Sequence, residues 1–233
     1  CVDCPIDTYS QVMYAITPQT CVQCPANTES VLRSPHILSC KCIVGTTGLD
    51  GNACTPCVAG TYKEVIGDSL CIQCPVDTHS GTLQATNISA CLPCPVKTFA
   101  PRGSPLLTSC KCIAGTTGPD GSACIPCAAG TYKEVTGNGS CLNCAVDTYS
   151  TTVQAISSNT CVSCPVNTFS ASASGRPTSC TCIIGTTGPD GHACAACAAG
   201  KYKEVPGNTT CLECNVNTYS TTLQATHRTT CLS

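Results

Sequence analysis

The sequence predicts a small, disulfide-rich, irregular β fold, laid out as a linear rod of tandem 70-residue repeats with four short stapled loops each. Three observations predict it. Cysteine fills 27 of 233 positions, a density that marks a disulfide scaffold. Cys1, Cys71, Cys141 and Cys211 recur every 70 residues, and the other cysteines keep the same register. No segment carries a helical apolar period over about ten residues, so short strands and turns are expected instead of helices.

The rest of the composition agrees. Charged residues make up 10% and aromatics 4%, with no Trp. A large conventional core is therefore not expected, and covalent staples take its place. The net charge of −2 supplies neither a basic stripe for nucleic acid nor a polybasic patch for anionic lipid. No apolar run approaches the roughly 18 residues of a membrane span. So many cysteines imply an oxidising, extracellular or cell-surface location. The chain opens on Cys1 without a secretory signal, as expected for a window cut inside a repeat. Ser and Thr together number 55, which suits a surface glycoprotein. The sequons at Asn87, Asn138 and Asn208 are candidate glycosylation sites, the last two at the same place in successive repeats.

In chain order the repeats are residues 1–70, 71–140 and 141–210, with 211–233 as the truncated start of a fourth. Repeats 71–140 and 141–210 align without a gap and share 40 identities in 70. Constant length matters, because an insertion would shift the stacking of every later unit. CPVDTHSGTLQATNISAC and CAAGTYKEVTGNGSC each read as a β-stretch, a turn and a return. TYKEV has strand character, with Tyr132 and Val135 as apolar anchors and Gly-Asn-Gly as the turn after it. Gly118-Pro119-Asp120-Gly121 reads as a compact turn.

The odd cysteine count needs an explanation. If each cysteine ending a CxxC or CxC pair bonds the next one downstream, the first repeat gives Cys4–Cys21, Cys24–Cys40, Cys42–Cys54 and Cys57–Cys71. The second gives Cys74–Cys91, Cys94–Cys110, Cys112–Cys124 and Cys127–Cys141. The third gives Cys144–Cys161, Cys164–Cys180, Cys182–Cys194 and Cys197–Cys211, and Cys214–Cys231 completes the set. Only Cys1 is left unpaired, its partner expected before the window begins. A crossed arrangement of the middle block, Cys24–Cys42 with Cys40–Cys54, stays open. Loops of this size are worth about 3 kcal/mol each by chain-entropy reasoning. On the sequential scheme CKCIAGTTGPDGSACIPC, residues 110–127, is a joint where three successive staples meet.

Other chemistry fits less well. Cys1, Cys4, Cys21 and Cys24 have zinc-ribbon spacing, but the cysteine array continues and offers no isolated four-ligand set. A redox CxxC needs a helix N-terminus or a cation to stabilise its thiolate, and no helix follows these pairs. His36, His79, His192 and His227 occupy unmatched positions, with His79 standing where Tyr9, Tyr149 and Tyr219 stand in other copies. Asp50, Asp120 and Asp190 supply one carboxylate per turn, too few for a calcium loop, and read as turn formers. Lys63-Glu64, Lys133-Glu134 and Lys203-Glu204 recur as either a partner-facing charge pair or a solvated strand face, and the solvated face is the expectation. No catalytic, metal or cofactor site is expected.

The blocks CAAGTYKEVTGNGSCLNC and CPVNTFSASASGRPTSCTCIIGTTGPDGHAC resemble the cysteine-rich, EGF-like region of ephrin receptors. There a CPPG-Phe/Tyr loop precedes a CxC and a glycine-containing loop. Tandem ephrin-receptor-like repeats of this kind occur in large extracellular proteins and are similar to tumour-necrosis-factor-receptor-type modules. The resemblance implies that one disulfide closes the CPxG-type loop, as in Cys57–Cys71, Cys127–Cys141 and Cys197–Cys211. It likewise implies Cys42–Cys54, Cys112–Cys124 and Cys182–Cys194, each as the last bond of an EGF module. No ephrin-binding domain is visible, so receptor function does not carry over, and mastigoneme-like surface proteins offer the closer setting.

The function expected is structural: the shaft of an extracellular fibre or filament, such as a cell-surface or flagellar-hair shaft, self-assembling by lateral packing with like chains and glycans. The alternative is the stalk or ligand-binding ectodomain of a receptor or adhesion protein.

Overall fold

A computed structural model describes residues 3–13 and 17–233. The regular elements are strands of two residues and 3-10 turns of three, with no α-helix among the described residues. The chain falls into two compact units, Cys1–Lys111 with Pro119–Ala123 and Cys112–Gly118 with Cys124–Ser233.

Both units are built from one kind of turn. In Pro25–Thr28 the Thr28 amide donates to the Pro25 carbonyl at 3.2 Å, and Asn27 takes a φ of +59°. A positive φ at the third position is type II turn geometry, which favours Gly or Asn. Asp77, Lys97 and Asn167 fill that position in other loops, and Gly45, Gly60 and Gly185 in still others. The threonine closing the turn folds its Oγ1 back onto the first residue's carbonyl, at 2.6 Å in Thr28 and 2.7 Å in Thr61. That side chain-to-backbone bond accounts for a Thr at one place in nearly every loop.

From each turn a two-residue strand runs back to an antiparallel partner. Thr61–Tyr62 pairs with Ile72–Gln73, and Thr131–Tyr132 with Leu142–Asn143. The return strand thus lies between the two cysteines of a CxxC, after the loop has closed, and not inside the loop as the sequence suggested. Val135 also departs from expectation: it is 68% exposed. Two-residue strands are too short for apolar alternation to report which face is buried.

Disulfides join every described cysteine to a sequential partner. In unit 1 they are Cys4–Cys21, Cys24–Cys40, Cys42–Cys54, Cys57–Cys71, Cys74–Cys91 and Cys94–Cys110. In unit 2 they are Cys112–Cys124, Cys127–Cys141, Cys144–Cys161, Cys164–Cys180, Cys182–Cys194, Cys197–Cys211 and Cys214–Cys231. The middle block is held as Cys24–Cys40 with Cys42–Cys54, uncrossed. The expected lack of a partner for Cys1 falls outside the described residues.

Burial follows the staples. Most fully buried positions are half-cystines, joined by Thr46, Thr116 and Thr186 and by small residues such as Ala85, Ala155 and Ala225. The apolar cluster of Tyr62, Cys74 and Ala85 is small.

Within each unit, backbone hydrogen bonds stitch a loop to the next. In unit 1, Gly60 N donates to Ser80 O at 2.7 Å, Ser80 N to Ser104 O at 3.1 Å, and Gln84 N to Cys57 O at 2.8 Å. Unit 2 repeats the set with Gly130 N to Ser150 O, Ser150 N to Ser174 O, and Gln154 N to Cys127 O. Glycine is required where these loops meet. Gly60 and Gly130 sit at φ of +84° and +83°, and a Cβ on either would collide with the backbone carbonyl of Gly103 or Ala173.

Candidate functional site

One arrangement recurs in all three copies and is built around a buried lysine. Lys63 follows the strand Thr61–Tyr62, and its side chain turns inward until none of it is exposed. Its Nζ donates to Thr46 O at 2.7 Å and also to Gly67 O. Thr46 belongs to the Cys42–Cys54 loop, whereas Gly67 belongs to the lysine's own loop, Cys57–Cys71. The backbone of the same residue reaches both neighbours: Gly45 N donates to Lys63 O at 2.9 Å, and Lys63 N donates to Ala85 O at 3.0 Å. Glu64 then points outward, and its Oε1 accepts from Ile88 N at 2.9 Å, at the first residue of the 3-10 turn Ile88–Ala90. A single Lys-Glu dipeptide ties three successive loops together.

Unit 2 holds the other two copies. Lys133 Nζ donates to Thr116 O at 2.8 Å and to Gly137 O, and Lys203 Nζ to Thr186 O at 2.7 Å and to Gly207 O. Glu134 Oε1 accepts from Ser158 N at 3.0 Å, and Glu204 Oε1 from Arg228 N at 2.8 Å. The expected solvated strand face is thereby corrected: the lysine is the buried anchor and only the glutamate faces solvent. Removal from water pushes the Lys63 ammonium below the ordinary lysine range, with Asp50 and Asp68 opposing the shift. Lys203 is lowered by the same cause, with Asp190 opposing. The geometry leaves the amine no reactant to meet, because it is enclosed by backbone carbonyls. Its chemistry is that of a hydrogen-bonded clamp.

The other candidate residues stand apart from one another. Asp50, Asp120 and Asp190 lie in turns, and each keeps a buried Oδ1 with no partner among the described residues. Oδ2 of Asp50 meets Lys41 Nζ at 3.3 Å and that of Asp120 meets Lys111 Nζ at 2.6 Å; Thr181 takes the lysine's place in the third copy. Sequence reasoning missed both ion pairs, whose signal was the shared lysine of KCI in two repeats. His36 Nδ1 accepts from Leu38 N at 3.2 Å, His79 is buried in a strand, and His192 and His227 are exposed in other loops. Among the described residues, no group of three or more His, Cys, Asp and Glu is placed to hold a metal ion. No described helix is long and apolar enough to cross a membrane. An open groove of about 760 Å³ in unit 1 is lined by Ile6, Val31, Leu38 and Ile66 together with His36 and Lys41. Asn87, Asn138 and Asn208 are all exposed.

Known proteins share these loops. Over 166 residues, 62% of this chain, it is 30% identical to a sushi, von Willebrand factor type A, EGF and pentraxin domain-containing protein 1 of Rattus norvegicus. It is 30% identical over 57% of its length to cysteine repeat modular protein B of Toxoplasma gondii. Human ephrin type-B receptor 4 matches 31% of the chain at 37% identity. The chain spans only 4%, 2% and 7% of these three proteins' own lengths. Both the disulfides and this kinship make it an extracellular, cysteine-rich repeat protein. The family pattern described as tyrosine-protein kinase ephrin type A/B receptor-like matches residues 45–91, 115–159 and 185–231. Each match opens on the glycine that donates to the buried lysine's carbonyl and reaches into the turn that the glutamate caps. With this segment matched three times over more than half its length, the chain belongs to the ephrin type A/B receptor-like family.

Proposed function

We propose that this chain is a structural, non-catalytic segment of an extracellular fibre or filament, such as a cell-surface or flagellar-hair shaft, built from disulfide-stapled tandem repeats. The observation that carries the reading is the recurrence of the lysine joint at Lys63, Lys133 and Lys203, with the same partners each time. A joint repeated at constant spacing passes one geometry from each unit to the next along a chain. Exposed apolar residues at Ile72, Leu142 and Leu212, at 52%, 56% and 57%, recur with it and supply lateral contacts for like chains.

Electron microscopy of the full-length protein at native ionic strength tests the reading. It should show a regular filament whose axial repeat relates to the 70-residue unit. Isolated, flexible particles with no such order would overturn it.

The match to ephrin type-B receptor 4 supports a second reading, a stalk or ligand-binding ectodomain of a receptor or adhesion protein. That reading requires a membrane anchor and a distinct terminal domain in the full-length protein, and loses its support if sequencing of the complete transcript shows neither.

A further inference from the structure

The three sequons are not placed alike. Asn87 caps a turn, its Oδ1 accepting from Ser89 N at 2.6 Å at the start of Ile88–Ala90, a bond that does not involve the Nδ2 a glycan would use. Asn138 and Asn208 occupy equivalent exposed positions directly after Gly137 and Gly207. Among the described residues, no hydrogen bond engages either of these two side chains. Asparagines with a structural task look different: Asn27 Nδ2 donates to Cys54 O at 2.7 Å and Asn167 Nδ2 to Cys194 O at 2.8 Å. Neither of those has Ser or Thr two residues on.

The turn that carries Asn138 and Asn208 is firmly held on one side and open on the other. The carbonyls of Gly137 and Gly207 accept from the buried lysines, and their amides donate to Cys112 O and Cys182 O, both at 2.8 Å. A Cβ built on either glycine meets nothing within 4 Å, and the side chains of Asn138 and Asn208 are themselves exposed. In the first copy the same position is Asp68, which has no amide to modify.

We propose that Asn138 and Asn208 are N-glycosylation sites, each presenting a glycan outward from a lysine-anchored turn at the spacing of the repeat. The co-reactant is a polyprenyl-diphosphate-linked oligosaccharide of the secretory pathway, the route that also oxidises the cysteines. Asparagine Nδ2 bonds to the anomeric carbon, the bond from that carbon to the diphosphate oxygen breaks, the diphosphate leaves, and one amide proton is lost. The inference does not depend on the filament reading, since a receptor stalk would carry the same glycans.

The test is to secrete the full chain from a cultured eukaryotic cell, release N-glycans enzymatically in heavy-oxygen water, and sequence the peptides by mass spectrometry. Glycosylated asparagine is converted to heavy-oxygen aspartate, expected at positions 138 and 208 in most molecules. On gels, Asn138→Gln and Asn208→Gln should each remove one glycan step, and the double variant both. Ser140→Ala and Thr210→Ala keep the asparagine and abolish the sequon, so they should give the same losses and show that the glycan, not misfolding, is being read. Unmodified asparagine at both positions would overturn the proposal. So would ordinary-oxygen aspartate at 138, which signals spontaneous deamidation of the Asn138-Gly139 pair.

Discussion

Lysine is among the residues least often buried, yet Lys63, Lys133 and Lys203 are 0%, 2% and 1% exposed. An ammonium removed from water is tolerated only when hydrogen-bonded, and here two backbone carbonyls receive it. Lys63→Met, which keeps the stem and removes the charge, leaves the carbonyls of Thr46 and Gly67 without that donor. Each unsatisfied buried group costs about 1–3 kcal/mol, partly offset by the desolvation that no longer has to be borne. The expected net loss near neutral pH is about 1–3 kcal/mol, read as a lower denaturation midpoint with the disulfides intact. The same measurement against pH fixes the sign of the charge effect. The folded pKa lies below the model-peptide value of 10.5, so between the two the unfolded chain holds more protons and stability rises with pH. The cost of the buried charge is fully present below the folded pKa and is relieved as pH climbs toward 10.5. The native protein should gain stability across that alkaline window, and Lys63→Met should gain less. A variant as stable as the native chain near neutrality, with the same alkaline slope, would remove the clamp from the account.

At the scale of the loop, contact between neighbours depends on glycine at one turn position. Gly60 and Gly130 face the carbonyls of Gly103 and Ala173, whereas Gly200, at the equivalent place with a φ of +81°, faces open space in this chain. Alanine at any of the three bears the cost of a positive φ, about 1–2 kcal/mol. At Gly60 and Gly130 the overlap with the next loop adds about 1–3 kcal/mol. Gly130→Ala should therefore lower the denaturation midpoint more than Gly200→Ala, and should expose the Ser150 and Ala173 amides to hydrogen exchange. Equal effects at the two glycines would show that the loops do not press on each other. These contacts also mark the limit of what the sequence reveals. The repeat and its staples are legible because cysteine spacing is a one-dimensional property, and Thr and Gly recur visibly at the turns. The clamp is not legible. Lys133 looks like any polar residue in TYKEV, and its burial depends on a carbonyl 17 residues upstream and another four downstream. Val135 misleads for the opposite reason: it is apolar in a segment too short to bury it.

For the molecule as a whole, stability resides in local staples and nearest-neighbour stitching, because the apolar cluster is small. Such a chain behaves as a sum of repeats and interfaces more than as one cooperative core. Removing one staple should then be a local event. With both Cys182 and Cys194 changed to Ala, the closed 12-residue separation is lost, at a cost of about 3 kcal/mol by loop entropy. The damage should follow the hydrogen bonds that leave this loop. Thr186 O holds Lys203 Nζ at 2.7 Å, and Gly185 N and Gly207 N pair with Lys203 O and Cys182 O at 2.9 Å and 2.8 Å. Hydrogen exchange at Gly185 and Gly207 should accelerate sharply. The amides of Gly130 and Gln154, bonded to Ser150 O and Cys127 O, sit two or more loops away and should keep their protection. Uniform loss of protection across residues 124–233 would instead mean that the unit unfolds as one body, with each loop relying on all the others.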